Sequence, residues 1–166
     1  MPVLQLNELQ AVRQFLDAEV RRNVVIKLYT TSGGGIIIPG RECAACRPVQ
    51  ELVEEVAGLS SKVTLDTVDY YTNQSESLEN GIARIPAFTV GRNGASRVRF
   101  FGMPSDQLLG ILISAIIGAS TRTSPFKLDT RRRLRRLKED AHIQVFVTRD
   151  GRFCGETASM ACAMAR

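Results

Sequence analysis

An α/β fold is what this 166-residue sequence predicts, on three observations. Segments with helical spacing of apolar residues alternate with β-branched runs along the first 119 residues. Two short apolar runs flank Asn93-Gly94, the strongest short-range hairpin signal in the chain. Two cysteines, Cys43 and Cys46, stand just before a helical segment. With 44% hydrophobic and 23% charged residues, the composition supports a real core.

NELQAVRQFLDAEVRR (7–22) places Leu9, Val12, Phe15, Leu16 and Val20 at helical intervals. NVVIKLYT (23–30) is β-branched and aromatic, a buried strand. TSGGGIIIPGRE (31–42) then breaks regular structure with three glycines. Gly33, Gly34 and Gly35 are not a phosphate loop, because the Lys-Ser/Thr and the following helix are absent. Ile36, Ile37 and Ile38 are expected to pack as an extension of the strand or against a neighbour, since exposed apolar patches are disfavoured. Exposed beside a nucleophile, they would instead dock an unfolded client. Helical periodicity returns in VQELVEEVAGL and ends near Gly58; Pro48, two residues past Cys46, predicts a late start or a kink. KVTLDTVDYY (62–71) alternates as a strand, and SESLENGI suits a short helix. AFTV and RVRFF form the hairpin, Gly102 and Pro104 punctuate, and SDQLLGILISAIIGA closes with an apolar helix.

Beyond the polar stretch ASTRTSP (119–125) come a basic helix (128–139), a strand AHIQVFVT (141–148), a turn and a small-residue helix. These repeat the opening order of the first part. The formal charge is +5, and of 22 basic residues only Lys27, Lys62, Lys127 and Lys138 are lysines. Six basic residues crowd into TRRRLRRLKED, which raises a nucleic-acid reading with the cysteine pair as sensor. No aromatic residues interleave with them for base stacking, and Leu134 and Leu137 offer an apolar stripe, so a solvated helix face is the better reading. LLGILISAIIGA is shorter than the roughly 20 residues of a membrane span. The N-terminus lacks a signal-peptide pattern. The expectation is a cytoplasmic protein that binds neither membrane nor nucleic acid.

Four cysteines in a chain of this size, without an export signal, do not suggest a disulfide framework. Cys43 and Cys46 admit three readings: a redox pair, part of a zinc site, or two buried small residues. Zinc needs four ligands, and His142, Cys154 and Cys162 would have to converge from far along the chain. Residues at i and i+3 on a first helical turn lie close enough to bridge. A helix N-terminus stabilises a thiolate through its free N–H groups and macrodipole. Redox chemistry is therefore favoured, with Cys43 as nucleophile and Cys46 as the thiol that resolves the mixed disulfide.

Strand, CxxC at a helix start, helix, strand, helix, then a hairpin entered through Ile85-Pro86 resembles the thioredoxin-like layout, a central mixed sheet flanked by helices. That resemblance implies a cis Ile85-Pro86 bond, with both residues forming the substrate-binding loop beside the disulfide. CAACRPVQELVEEVAGL, VTLDTVDYYTN, RIPAFTV and VRFFGMPS resemble the N-terminal unit of the archaeal and bacterial glutaredoxin-like protein disulfide oxidoreductases, which carry two thioredoxin-fold units in tandem. AHIQVFVT is similar to the first strand of their second unit. The chain departs from the family in three ways. Its 31–42 connection is longer. Gly151 stands where the second unit has its first cysteine, leaving only Cys154. The sequence stops at Arg166, before a second proline loop and hairpin.

The implied organisation is a redox unit over 1–119, a linker over 120–127 and a truncated second unit over 128–166. The implied function is thiol–disulfide exchange at Cys43-Ala44-Ala45-Cys46 on disulfide-containing proteins, without metal or organic cofactor. Electrons would come from a thioredoxin-reductase-like or thiol donor, with a peroxidase as a further acceptor. The alternative is a non-catalytic remnant acting as a binding or assembly subunit. In that reading the incomplete second unit pairs its apolar strand with another chain as a homo-oligomer.

Overall fold

The computed structural model describes residues 6–31, 39–92, 96–104, 107–121, 124–148 and 150–165. Its centre is β1 (Val24–Thr30), which pairs in parallel with β2 (Val63–Asp69) and antiparallel with β3 (Ala87–Gly91); β3 pairs antiparallel with β4 (Arg99–Phe101). The strand order is β2-β1-β3-β4. A parallel pair needs a crossover, and α2 (Cys46–Ala57) supplies it between β1 and β2. The sheet is mixed because the short hairpin β3–β4 returns on the other side of β1.

Alternation along β1 sorts its side chains into two layers. Val24, Ile26 and Leu28 face one core with Phe88 and Val90 of β3. Leu16 and Val20 close it from α1 (Leu6–Glu19) and the turn after it. Val49, Leu52, Val53 and Val56 of α2, and Leu112 and Ile116 of α4 (Gln107–Ser120), complete it. Tyr29, on the opposite face, gathers with Tyr70, Ile82 and Ala87 in a smaller cluster. On that face α3 (Gln74–Glu79) is tied to β1 by Lys27 Nζ, 2.6 Å from Glu76 Oε1. This bond is the main cause that raises the Lys27 pKa above its ordinary value, and burial raises that of Tyr29.

Several expectations are corrected. Phe15 is 53% exposed, one step off the stripe that Leu16 and Val20 bury. The basic helix α5 (Leu128–Leu134) stops short of 139, and Leu137 is 62% exposed instead of forming a stripe. A helix that buries no face must hold itself together; among the described residues one i,i+4 pair, Asp129–Arg133 at 3.0 Å, works against the crowding of Arg131, Arg132 and Arg133. Residues 141–148 form no strand, because no described strand lies beside them to complete a ladder. The final helix α6 (Cys154–Met164) packs on α4. Ile36–Ile38 and the Asn93-Gly94 turn lie outside the described residues. Among the described residues, no helix is long and apolar enough to cross a membrane.

Candidate active site

Cys43 and Cys46 lie past the C-terminal end of β1, where the chain turns into α2. Cys46 is the first residue of α2, with Ala45 as its N-cap, and Cys43 precedes the helix. The two are joined as a disulfide, with S–S 2.05 Å and Cα–Cα 5.3 Å. The Cys46 N–H donates to the Cys43 carbonyl at 3.2 Å, closing the turn that brings them together. Their exposure differs. Cys43 is half-buried and reaches the surface, whereas Cys46 is 2% exposed beneath it.

Pro48 neither delays nor kinks the helix. As the third residue of α2 it occupies the first turn, where backbone N–H groups have no intrahelical partner to lose. The N–H of Val49, one residue later, already donates to Ala45 O at 3.1 Å.

The Ile85-Pro86 bond is cis. Two hydrogen bonds hold the loop around it. The Tyr70 hydroxyl donates to Ala83 O at 3.2 Å, and the Gly102 N–H donates to Pro86 O at 3.0 Å. Gly102 has φ +85°, left-handed backbone open to glycine at little cost. The loop and the cysteine turn together line a shallow groove of about 450 Å³. Cys43, Ile85 and Pro86 all face it, with Tyr70, Tyr71 and Arg84, while Cys46 lies behind. The four residues picked from the sequence are thus in one place.

Sequence reasoning missed the groove's walls. Tyr70 and Tyr71 read only as the end of a strand, and their rings meet edge-to-face at 5.3 Å. Arg41 lies over Tyr71 at 4.8 Å from the ring centroid, and Arg84 over Phe101 at 4.9 Å. Arg84 directly precedes Ile85-Pro86, a signal that was available. Arg41's stacking depends on a long-range approach that no local pattern encodes.

A partial copy of the cysteine turn occurs at the other end of the chain. Cys154 opens α6 as Cys46 opens α2, and its N–H donates to Gly151 O at 3.0 Å. A Cβ added to Gly151 would fall 2.1 Å from Cys154 Sγ, so the missing side chain points at the remaining thiol. Among the described residues, His142, Cys154 and Cys162 do not gather with the disulfide pair into a group of three or more metal-ligating side chains.

No family model matches the chain, and no curated protein matches it. Solved structures do. A mutant of the alkylhydroperoxide reductase AhpF from Enterococcus faecalis superposes with TM-score 0.79 at 18% identity, over 98% of this chain and 74% of that one. The NTD_N/C domain of the same protein gives 0.77 at 17%, with the same shares covered. A protein disulfide oxidoreductase from Aeropyrum pernix K1 gives 0.81 at 21% identity, over 97% of this chain and 67% of that one. At these identities the likeness establishes the fold, which is thioredoxin-like, and it runs through the C-terminal residues as well as the sheet.

Proposed function

We propose that the protein is a thiol–disulfide oxidoreductase working through Cys43 and Cys46. One observation carries the reading: a bridged cysteine pair, one sulfur accessible and one buried, sits in a groove walled by a cis-proline loop. Reduced Cys43, held as thiolate by the N-terminus of α2, attacks one sulfur of a substrate disulfide. The other substrate sulfur leaves as a thiolate and takes up a proton. Cys46, after losing its proton, attacks Cys43 Sγ and breaks the mixed disulfide. The second substrate thiol departs, and the Cys43–Cys46 bridge has formed. The substrate has gained two electrons and two protons, which an external dithiol returns to the pair. Ile85 offers its backbone to an extended substrate across the groove.

A cytoplasmic setting, a thioredoxin-reductase-like or thiol donor, and protein disulfides or a peroxidase as acceptors complete the proposal. The likeness to an alkylhydroperoxide reductase component supports partnering with thiol-based electron carriers. The two-part organisation, with residues 128–166 as a partial second unit, is supported by the matching turns before α2 and α6.

The test is trapping. Cys46→Ser should accumulate mixed disulfides between Cys43 and substrate proteins, seen as reducible adducts on non-reducing gels, whereas Cys43→Ser should form none. Absence of adducts with Cys46→Ser contradicts the assigned roles.

An assembly role is the second reading, favoured by residues 141–148: they pair with no described strand, and Ile143 and Phe146 are 56% and 82% exposed. A dimer that Phe146→Asp dissociates in light-scattering measurements supports it; a monomer at all concentrations removes it.

A further inference from the structure

Arg84 lines the groove beside Cys43 and Arg41 sits over Tyr71, which also lines it; neither arginine meets a carboxylate within salt-bridge distance among the described residues. The next cation along, Arg47, is already neutralised by Glu51 at 2.9 Å. Among the described residues lining the groove, Glu42 is the only acid. Arg41 and Arg84 are each laid against an aromatic ring, Tyr71 and Phe101. A guanidinium held over a ring by cation–π attraction does not spend its N–H groups on that contact, so they can grip a carboxylate with two parallel bonds.

Their placement is as informative as their charge. Tyr71 follows β2, one edge strand of the sheet, and Phe101 ends β4, the other edge. Phe101 pairs with Ala87, and Ala87 with Tyr29, so both rings stand at the end of the sheet where the cysteine turn lies. Three strand spacings separate the edges, on the order of 14 Å, which an extended chain covers in about four residues. A segment crossing Cys43 therefore meets one cation on each side.

We propose that the site selects disulfides in polypeptide segments carrying Asp or Glu on both sides of the reactive cysteine, about two residues from it. This rests on the thiol–disulfide reading above and names the substrate class for it.

The experiment follows reduced protein reacting with two synthetic peptides. They are identical but for Glu or Lys two residues either side of a single cysteine, which is blocked with 2-mercaptoethanol as a disulfide. Uncharged hydroxyethyl disulfide is run in parallel. The Glu peptide should show a kcat/KM about tenfold above the Lys peptide at low ionic strength, the sum of two exposed ion pairs. The ratio should fall towards one in molar salt. Arg41→Gln/Arg84→Gln should remove the preference, and Arg41→Glu/Arg84→Glu should invert it. Equal rates for the two peptides, with hydroxyethyl disulfide still reduced, overturn the inference and leave the dithiol reading standing. A Glu preference unchanged in Arg41→Gln/Arg84→Gln also overturns it, because the overall charge of +5 is then its source. Failure to reduce hydroxyethyl disulfide at all overturns both.

Discussion

Thr30 ends β1 at 1% exposure, with its hydroxyl oxygen lacking a hydrogen-bond partner among the described residues. A buried polar atom left unpaired costs free energy that an isosteric methyl does not. Thr30→Val should therefore raise stability by about 1 kcal/mol, read as a higher urea midpoint at unchanged slope; a lower midpoint would mean the hydroxyl has a partner. Gly151 offers a second single-residue test. Its missing Cβ points at Cys154 Sγ, so Gly151→Cys should bridge to Cys154 once that sulfur rotates aside. In the oxidised parent Cys154 and Cys162 are the two cysteines outside the disulfide. The oxidised variant, denatured and titrated, should show one thiol instead of those two; three would refute the geometric match. At this scale the sequence was most legible where chemistry is local. Cys43, Cys46, Ile85 and Pro86 could be picked from spacing and from the fold they resemble. Arg84, directly before Ile85-Pro86, could have been picked in the same way, whereas Arg41 could not, because its place over Tyr71 depends on a ring that only the fold brings near.

Among the elements, those with a clear period and a partner to bury against formed as expected. The hairpin is the best case: Phe88 pairs with Phe100, their rings stack at 4.9 Å, and Phe88 is wholly buried beneath the sheet. Phe88→Ala should cost about 3–5 kcal/mol by opening a cavity there, measured by chemical denaturation; a loss under about 1 kcal/mol would contradict that packing. Segment 141–148 shows the limit of pattern reading. AHIQVFVT has the composition of a strand, yet a strand exists only where a neighbour accepts its hydrogen bonds, and none of the described strands lies beside it. The basic helix falls short for a related reason: Leu134 and Leu137 predict a stripe, but α5 ends at Leu134, which is half-buried, and Leu137 beyond it is 62% exposed. Periodicity reports which face is apolar. It does not report whether anything covers that face.

Across the whole molecule, one sheet carries the core and presents the cysteine turn at one end, while α6 anchors the C-terminal residues to α4. The fold class with its central mixed sheet, and the cis bond that the resemblance implied, were legible before the structure. The proposed function requires this scaffold to make Cys43 and Cys46 a working dithiol. Reduction of insulin disulfides, with dithiothreitol as the electron source, tests it most directly by comparing the intact chain with Cys43→Ser. Turnover well above the uncatalysed rate is expected for the intact chain, and its loss in the variant. Background rates from both proteins, with the intact chain shown to be folded by circular dichroism, would contradict it.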